Sequence, residues 1–92
     1  MKPVKLPIAD TLDLHTFRPS DLSDLLDDYF RACVEADIYS VRLIHGKGKG
    51  VLRSRVLGHL RQHSLVRSYK PAPPEAGGWG AMLVELQSPK FN

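Results

Sequence analysis

At 92 residues and 42% hydrophobic, the chain can bury one small core but not a second, so a single domain is expected. The net charge of +3 is unevenly spread: Asp10, Asp13, Asp21, Asp24, Asp27, Asp28, Glu35 and Asp37 crowd the first part, whereas Ile38 to Pro74 holds no acid but Arg42, Lys47, Lys49, Arg53, Arg55, Arg61, Arg67 and Lys70, a field suited to polyanions. One cysteine, Cys33, excludes an intramolecular disulfide, and no run approaches the roughly 20 apolar residues of a membrane span, so a soluble protein of the reducing cytoplasm is expected.

Residues 1–10 carry Lys2 and Lys5, are broken by Pro3 and Pro7, and lack the apolar run of a signal sequence; they read as a flexible arm. Thr11-Leu12-Asp13-Leu14-His15 alternates as a strand does, and Thr16-Phe17-Arg18-Pro19 turns it. Ser20 or Asp21 caps a helix running to about Ala36, with Leu22, Leu25, Leu26, Tyr29, Phe30, Cys33 and Val34 on its apolar side. Ser40 to His45 is a β-rich run stopped by glycines, and the strand–helix–strand order predicts that it runs parallel to the first strand. Leu52, Val56, Leu57 and Leu60 then mark a second helix ending near His63 or Ser64. Val66 to Lys70 makes a third strand, Pro71 to Gly78 a loop, Gly80 to Leu86 the last strand and 88–92 a tail. The expected fold is α/β (α+β) in the order βαβαββ. It forms a two-layer sandwich over 11–87, with a small mixed four-stranded sheet and two helices on one face.

The segment His45-Gly46-Lys47-Gly48-Lys49-Gly50 combines three features that suit phosphate. Its glycines free the backbone to present N–H groups, a helix dipole follows, and Lys47 and Lys49 add charge. Its spacing fits neither the Walker pattern nor the dinucleotide fingerprint, which argues against ATP or NAD. Asp13 and His15, two apart on a strand, share one surface. Ligands of parallel sheets bind beyond the carboxyl ends of the strands, so if the first two strands are neighbours, Asp13, His15 and the glycine loop converge. That group could hydrolyse a phosphodiester, with His15 as general acid or base, Asp13 orienting it or activating water, and His45 as a second proton donor. On residue types alone, Asp-x-His is more often an edge strand with a polar face than a catalytic pair. His59 and His63 have metal-pair spacing, but without a Glu after His59 or a third ligand they read as solvent-facing. Arg53, Arg55 and Arg61 either follow a nucleic-acid backbone or contribute solubility. Within Gly77-Gly78-Trp79-Gly80, Trp79 either stacks on a base or plugs the core edge.

Leu12-Asp13-Leu14-His15, His45-Gly46-Lys47-Gly48-Lys49-Gly50 and Gly77-Gly78-Trp79-Gly80-Ala81-Met82-Leu83-Val84-Glu85-Leu86, in this order, resemble the Smr (small MutS-related) domain in its stand-alone form. The resemblance implies a sandwich similar to the C-terminal domain of translation initiation factor 3. It implies nucleic-acid binding and endonuclease activity on DNA or RNA, as free nucleic acid or on the ribosome, with a divalent metal such as magnesium as the one cofactor it leaves room for. It places the catalytic Asp and His at Asp13 and His15 and the family's His-Gly-Lys-Gly loop on His45 to Gly48. Joined with the reading of the residues, the expected site is Asp13, His15 and His45 for catalysis, with phosphate or nucleic-acid contact at Gly46, Lys47, Gly48, Lys49, Gly50, Arg53, Gly78 and Trp79. A binding module without catalysis is the alternative. Where the family continues its first motif with Gly, this chain has Thr16, whose side chain is expected to narrow the cleft or alter the turn.

Overall fold

The computed structural model describes residues 10–46 and 50–87; the arm over 1–9, the Lys47-Gly48-Lys49 centre of the glycine loop and the tail over 88–92 lie outside the described residues. Along the chain come β1 (Thr11–Asp13), a 3-10 turn (Pro19–Asp21), α1 (Leu22–Glu35), β2 (Ser40–Ile44) and α2 (Val51–Gln62). There follow β3 (Val66–Pro71), two 3-10 turns (Pro74–Ala76 and Gly78–Gly80) and β4 (Ala81–Leu86). The sheet order is β1-β2-β4-β3, with β1 parallel to β2 and β4 antiparallel to both of its neighbours. This is the expected small mixed sheet.

In α1 the apolar residues recur every three or four positions, and Leu22, Leu26, Phe30 and Cys33 are fully buried as one stripe. The start of the helix differs from the expected cap. Asp21 stands at the cap position but makes no side-chain cap bond, because its Oδ2 accepts from Arg18 Nε at 3.4 Å and Pro19 opens a 3-10 turn that leads directly into the helix. The helix ends where Asp37 adopts a positive φ of 60°, so that its N–H reaches Val34 O at 3.1 Å and the Ile38 N–H reaches Cys33 O at 2.8 Å, satisfying the last carbonyls.

Val56 and Leu60 of α2 join the same core, which meets the sheet through Leu14, Val41, Leu43, Met82, Val84 and Leu86. These sheet residues alternate along their strands and pair across them, so both helices lie on one face. The opposite face carries the row Thr11, Arg42, Leu83 and Lys70. The proline-rich segment read as a plain loop folds back over part of that face. Arg42 Nη1 donates to Ala76 O at 3.1 Å, and Ala81 is only 1% exposed. Gly77 is required there, because its φ is +112° and a Cβ would stand 2.8 Å from the Ala81 Cβ. This packing brings Gly78, Trp79 and Gly80 to the end of β2.

Candidate active site

Parallel pairing sets Asp13 beside Ile44, on the sheet face away from the helices, and one further bond, Leu14 N–H to Ile44 O at 2.7 Å, carries the ladder past β1. The next step brings His15 against Gly46, where a Cβ added to the glycine would lie 3.8 Å from the His15 Cβ. The neighbouring strands therefore do gather Asp13, His15 and the entrance of the glycine loop. Oδ1 of Asp13 accepts the His15 backbone N–H at 3.0 Å and also the His15 ring N–H at Nδ1. These two bonds hold the Asp13 carboxyl below its usual range, the ring bond contributing most. A carboxylate only accepts, so Nδ1 carries the proton of that bond, and in the tautomer this assigns, Nε2 holds the lone pair. Both side chains remain open to solvent, at 58% for His15 and 48% for Asp13. Thr16 follows in an exposed turn with no positive φ, so the residue in place of glycine is not strained.

The glycine loop leaves β2 with Gly46 at φ 84° and enters α2 through Gly50 at φ 87°. Gly50 makes no side-chain cap bond, and no acid stands in the first turn of α2. Among the described residues no side chain caps the first amides of that helix, which lie at the positive end of its dipole. The other end of the loop departs from expectation. The amides of His45 and Gly46 both donate to Gly80 O at 2.9 Å, so the Gly46 N–H is occupied within the protein. Gly80, whose carbonyl ties the two loops, went unnoticed in the sequence because a backbone acceptor leaves no residue signature.

His45 is 4% exposed. Its Nδ1 donates to Gly46 O at 2.9 Å, while Nε2 is buried without a hydrogen-bond partner among the described residues. Burial lowers its pKa, and the charge of Arg53 acts in the same direction, so the ring is neutral at pH 7. A neutral ring whose one N–H is already engaged is poorly placed to be the second proton donor expected of it. The cause is register: Val41, Leu43 and His45 alternate inward on β2. That alternation was legible in the sequence.

Trp79 is 57% exposed, which decides against the core plug, and Arg53 from the first turn of α2 lays its guanidinium over the indole with Cζ 4.3 Å from the ring centroid. Arg55 and Arg61 stand exposed farther along α2. His59 and His63 are not the free surface residues expected. Both are partly buried, and His63 Nε2–H donates to Asp27 Oδ1 at 3.2 Å, its Nδ1 accepts the Leu65 N–H at 3.1 Å, and its edge packs on Phe30 with ring centroids 5.0 Å apart. His63 therefore pins α2 to α1.

Among the described residues no group of three or more His, Cys, Asp or Glu side chains comes together to hold a metal ion. Asp13 Oδ1 is engaged by His15, which leaves Asp13 Oδ2 and His15 Nε2 as the pair's free donors, too few for a resident all-protein cation cage. Nor, among the described residues, is any helix long and apolar enough to cross a membrane.

The model of the Smr domain family matches residues 12–87. Endonuclease MutS2 of Staphylococcus saprophyticus is 37% identical over 76 residues, 83% of this chain and 10% of that protein. Endonuclease MutS2 of Thermomicrobium roseum is 44% identical over 80 residues, 87% of this chain and again 10% of that protein. The chain thus spans about a tenth of the length of these curated relatives. The Smr domain of Thermus thermophilus MutS2 has the same fold at a TM-score of 0.78 and 31% identity, covering 84% of this chain and 96% of that one. YdaL, a stand-alone small MutS-related protein from Escherichia coli, gives 0.79 at 26% identity, covering 86% of this chain and 65% of that one. Motif order, sheet topology and these matches agree, and the chain belongs to the Smr domain family.

Proposed function

We propose that this domain binds nucleic acid and hydrolyses phosphodiester bonds in DNA or RNA. The observation that carries the reading is the Asp13–His15 hydrogen-bonded pair standing against Gly46, at the entrance of the glycine loop that leads into α2. Relatives bearing the name endonuclease support it. In the reaction, ionised Asp13 holds His15 with Nε2 outward, and Nε2 takes a proton from a water molecule. The water oxygen bonds to phosphorus, the bond from phosphorus to the leaving oxygen breaks, and that oxygen takes a proton from solvent. The extra negative charge falls to the amides at the start of α2, with Lys47 and Lys49 contributing from the same loop. His45 acts as a positioning residue: buried and neutral, it braces the Gly46 carbonyl and so the loop's entrance. No step runs through a metal ion.

The test is incubation with supercoiled plasmid and with structured RNA, ribosomal RNA included, beside Asp13→Ala and His15→Ala, with and without a chelator. Nicked or shortened product from the wild type alone, persisting in chelator, is expected. Equal residual cleavage by all three proteins would remove the catalytic assignment. Salt-dependent binding without any product would leave a binding module.

A further inference from the structure

Among the described residues, the exposed large hydrophobic side chains are Phe17, Val51 and Trp79. All three belong to segments that meet at the candidate site. Phe17 lies in the turn after His15, its N–H returning to Leu14 O at 3.0 Å; Val51 opens α2 directly after Gly50; Trp79 adjoins Gly80, which holds His45 and Gly46. Apolar surface set around a phosphate site does not serve phosphate. It serves something flat and apolar that arrives attached to one.

We propose that the substrate strand is unpaired at the point of cleavage, and that a nucleobase next to the scissile phosphate stacks on Trp79. Resting on the hydrolase reading above, this names the substrate class. Arg53 covers one face of the indole, and with 57% exposure the residue keeps surface that a base can reach. The guanidinium sets a positive charge beside the platform, in the first turn of α2. In a continuous duplex the base faces are stacked on one another, and only edges and phosphates are presented. Such a substrate cannot use the platform. A single strand, a loop or a bulge can, in DNA or RNA alike, since every base has a π-face.

Trp79 is the chain's one tryptophan, so its fluorescence reports the contact directly. The protein is titrated with single-stranded DNA, single-stranded RNA and duplex DNA of equal length, and the same strands are used as cleavage substrates. Single strands of one or both chemistries are expected to quench the emission while the duplex does not. Trp79→Ala, whose folding is checked by circular dichroism, is expected to bind single strands roughly 5- to 150-fold more weakly, with Trp79→Phe recovering most of the loss. Equal quenching by duplex and single strand, or single-strand affinity in Trp79→Ala equal to the wild type, would overturn the proposal. The hydrolase reading fails separately: unchanged cleavage by Asp13→Ala would sink it while leaving the quenching result to stand.

Discussion

Replacing Asp13 by Asn probes the site where its chemistry is decided. Oδ1 of Asp13 receives both the backbone N–H and the ring N–H of His15, and that ring bond keeps Nε2 as the free lone pair. Asparagine has the same shape without the charge. Its amide can also turn its NH2 group toward Nδ1, which leaves the ring proton on Nε2 where a base must have none. A positioned general base contributes about 10²- to 10⁴-fold, equivalent to about 2.7–5.4 kcal/mol of barrier, so cleavage should fall within that range. Stability should hardly move, because both side chains are about half exposed and a surface substitution usually stays within about 0.5 kcal/mol. Initial rates on an end-labelled oligonucleotide, with a melting curve of the same preparation, make the measurement. Since Asp13 is held below the ordinary carboxylate pKa of 3.8, its charge, and the orientation it confers on His15, is present above that value and lost only as pH falls through the lowered one. Any loss of rate in the wild type between neutral pH and mild acid therefore has another source. Wild-type cleavage by Asp13→Asn would refute the role given to the pair.

His45 predicts a pH dependence of stability. Its pKa is depressed in the folded state, so its contribution is complete above the unfolded value of 6.5 and declines as pH falls from there to the folded one. Asparagine can keep the bond to Gly46 O without titrating, so the melting temperature of His45→Asn should fall less between pH 7 and pH 5 than that of the wild type; parallel curves would contradict this. Gly77→Ala should cost about 1–2 kcal/mol for the left-handed backbone and about 1–3 kcal/mol for crowding Ala81, measurable by urea denaturation, and should shift Trp79 emission as the loop is displaced. Phe30→Ala, at a fully buried position against His63, should cost about 3–5 kcal/mol in the same assay. A loss under 1 kcal/mol would mean that the core closes around the cavity.

Much of the fold could be read because hydrophobic periodicity is local. The spacing of Leu22, Leu26, Phe30 and Cys33 makes a helix in any context that buries one side, and Thr11 to His15 alternates as only a strand does. The candidate pair was legible in the same alternation, although β1 ends at Asp13 and His15 stands in the turn just beyond it. His63 was misread because its partners, Asp27 and Phe30, lie on another helix and no local pattern announces them. The cap of α1 was legible in position only: Asp21 does stand there, but its side chain meets Arg18 and a 3-10 turn from Pro19 leads into the helix.

The sequence by itself determined the elements, their order, the acid-free basic segment and the motif residues, all of which depend on neighbours along the chain. Tertiary structure alone decided which ends meet. The pairing of β1 with β2 brings His15 to Gly46, and the fold-back of 72–80 sets Gly80 against the start of the glycine loop. Trp79 was ambiguous for the same physical reason. An aromatic side chain carries equal apolar surface whether it is buried or displayed, and only packing shows that here it is displayed, with Arg53 against one face.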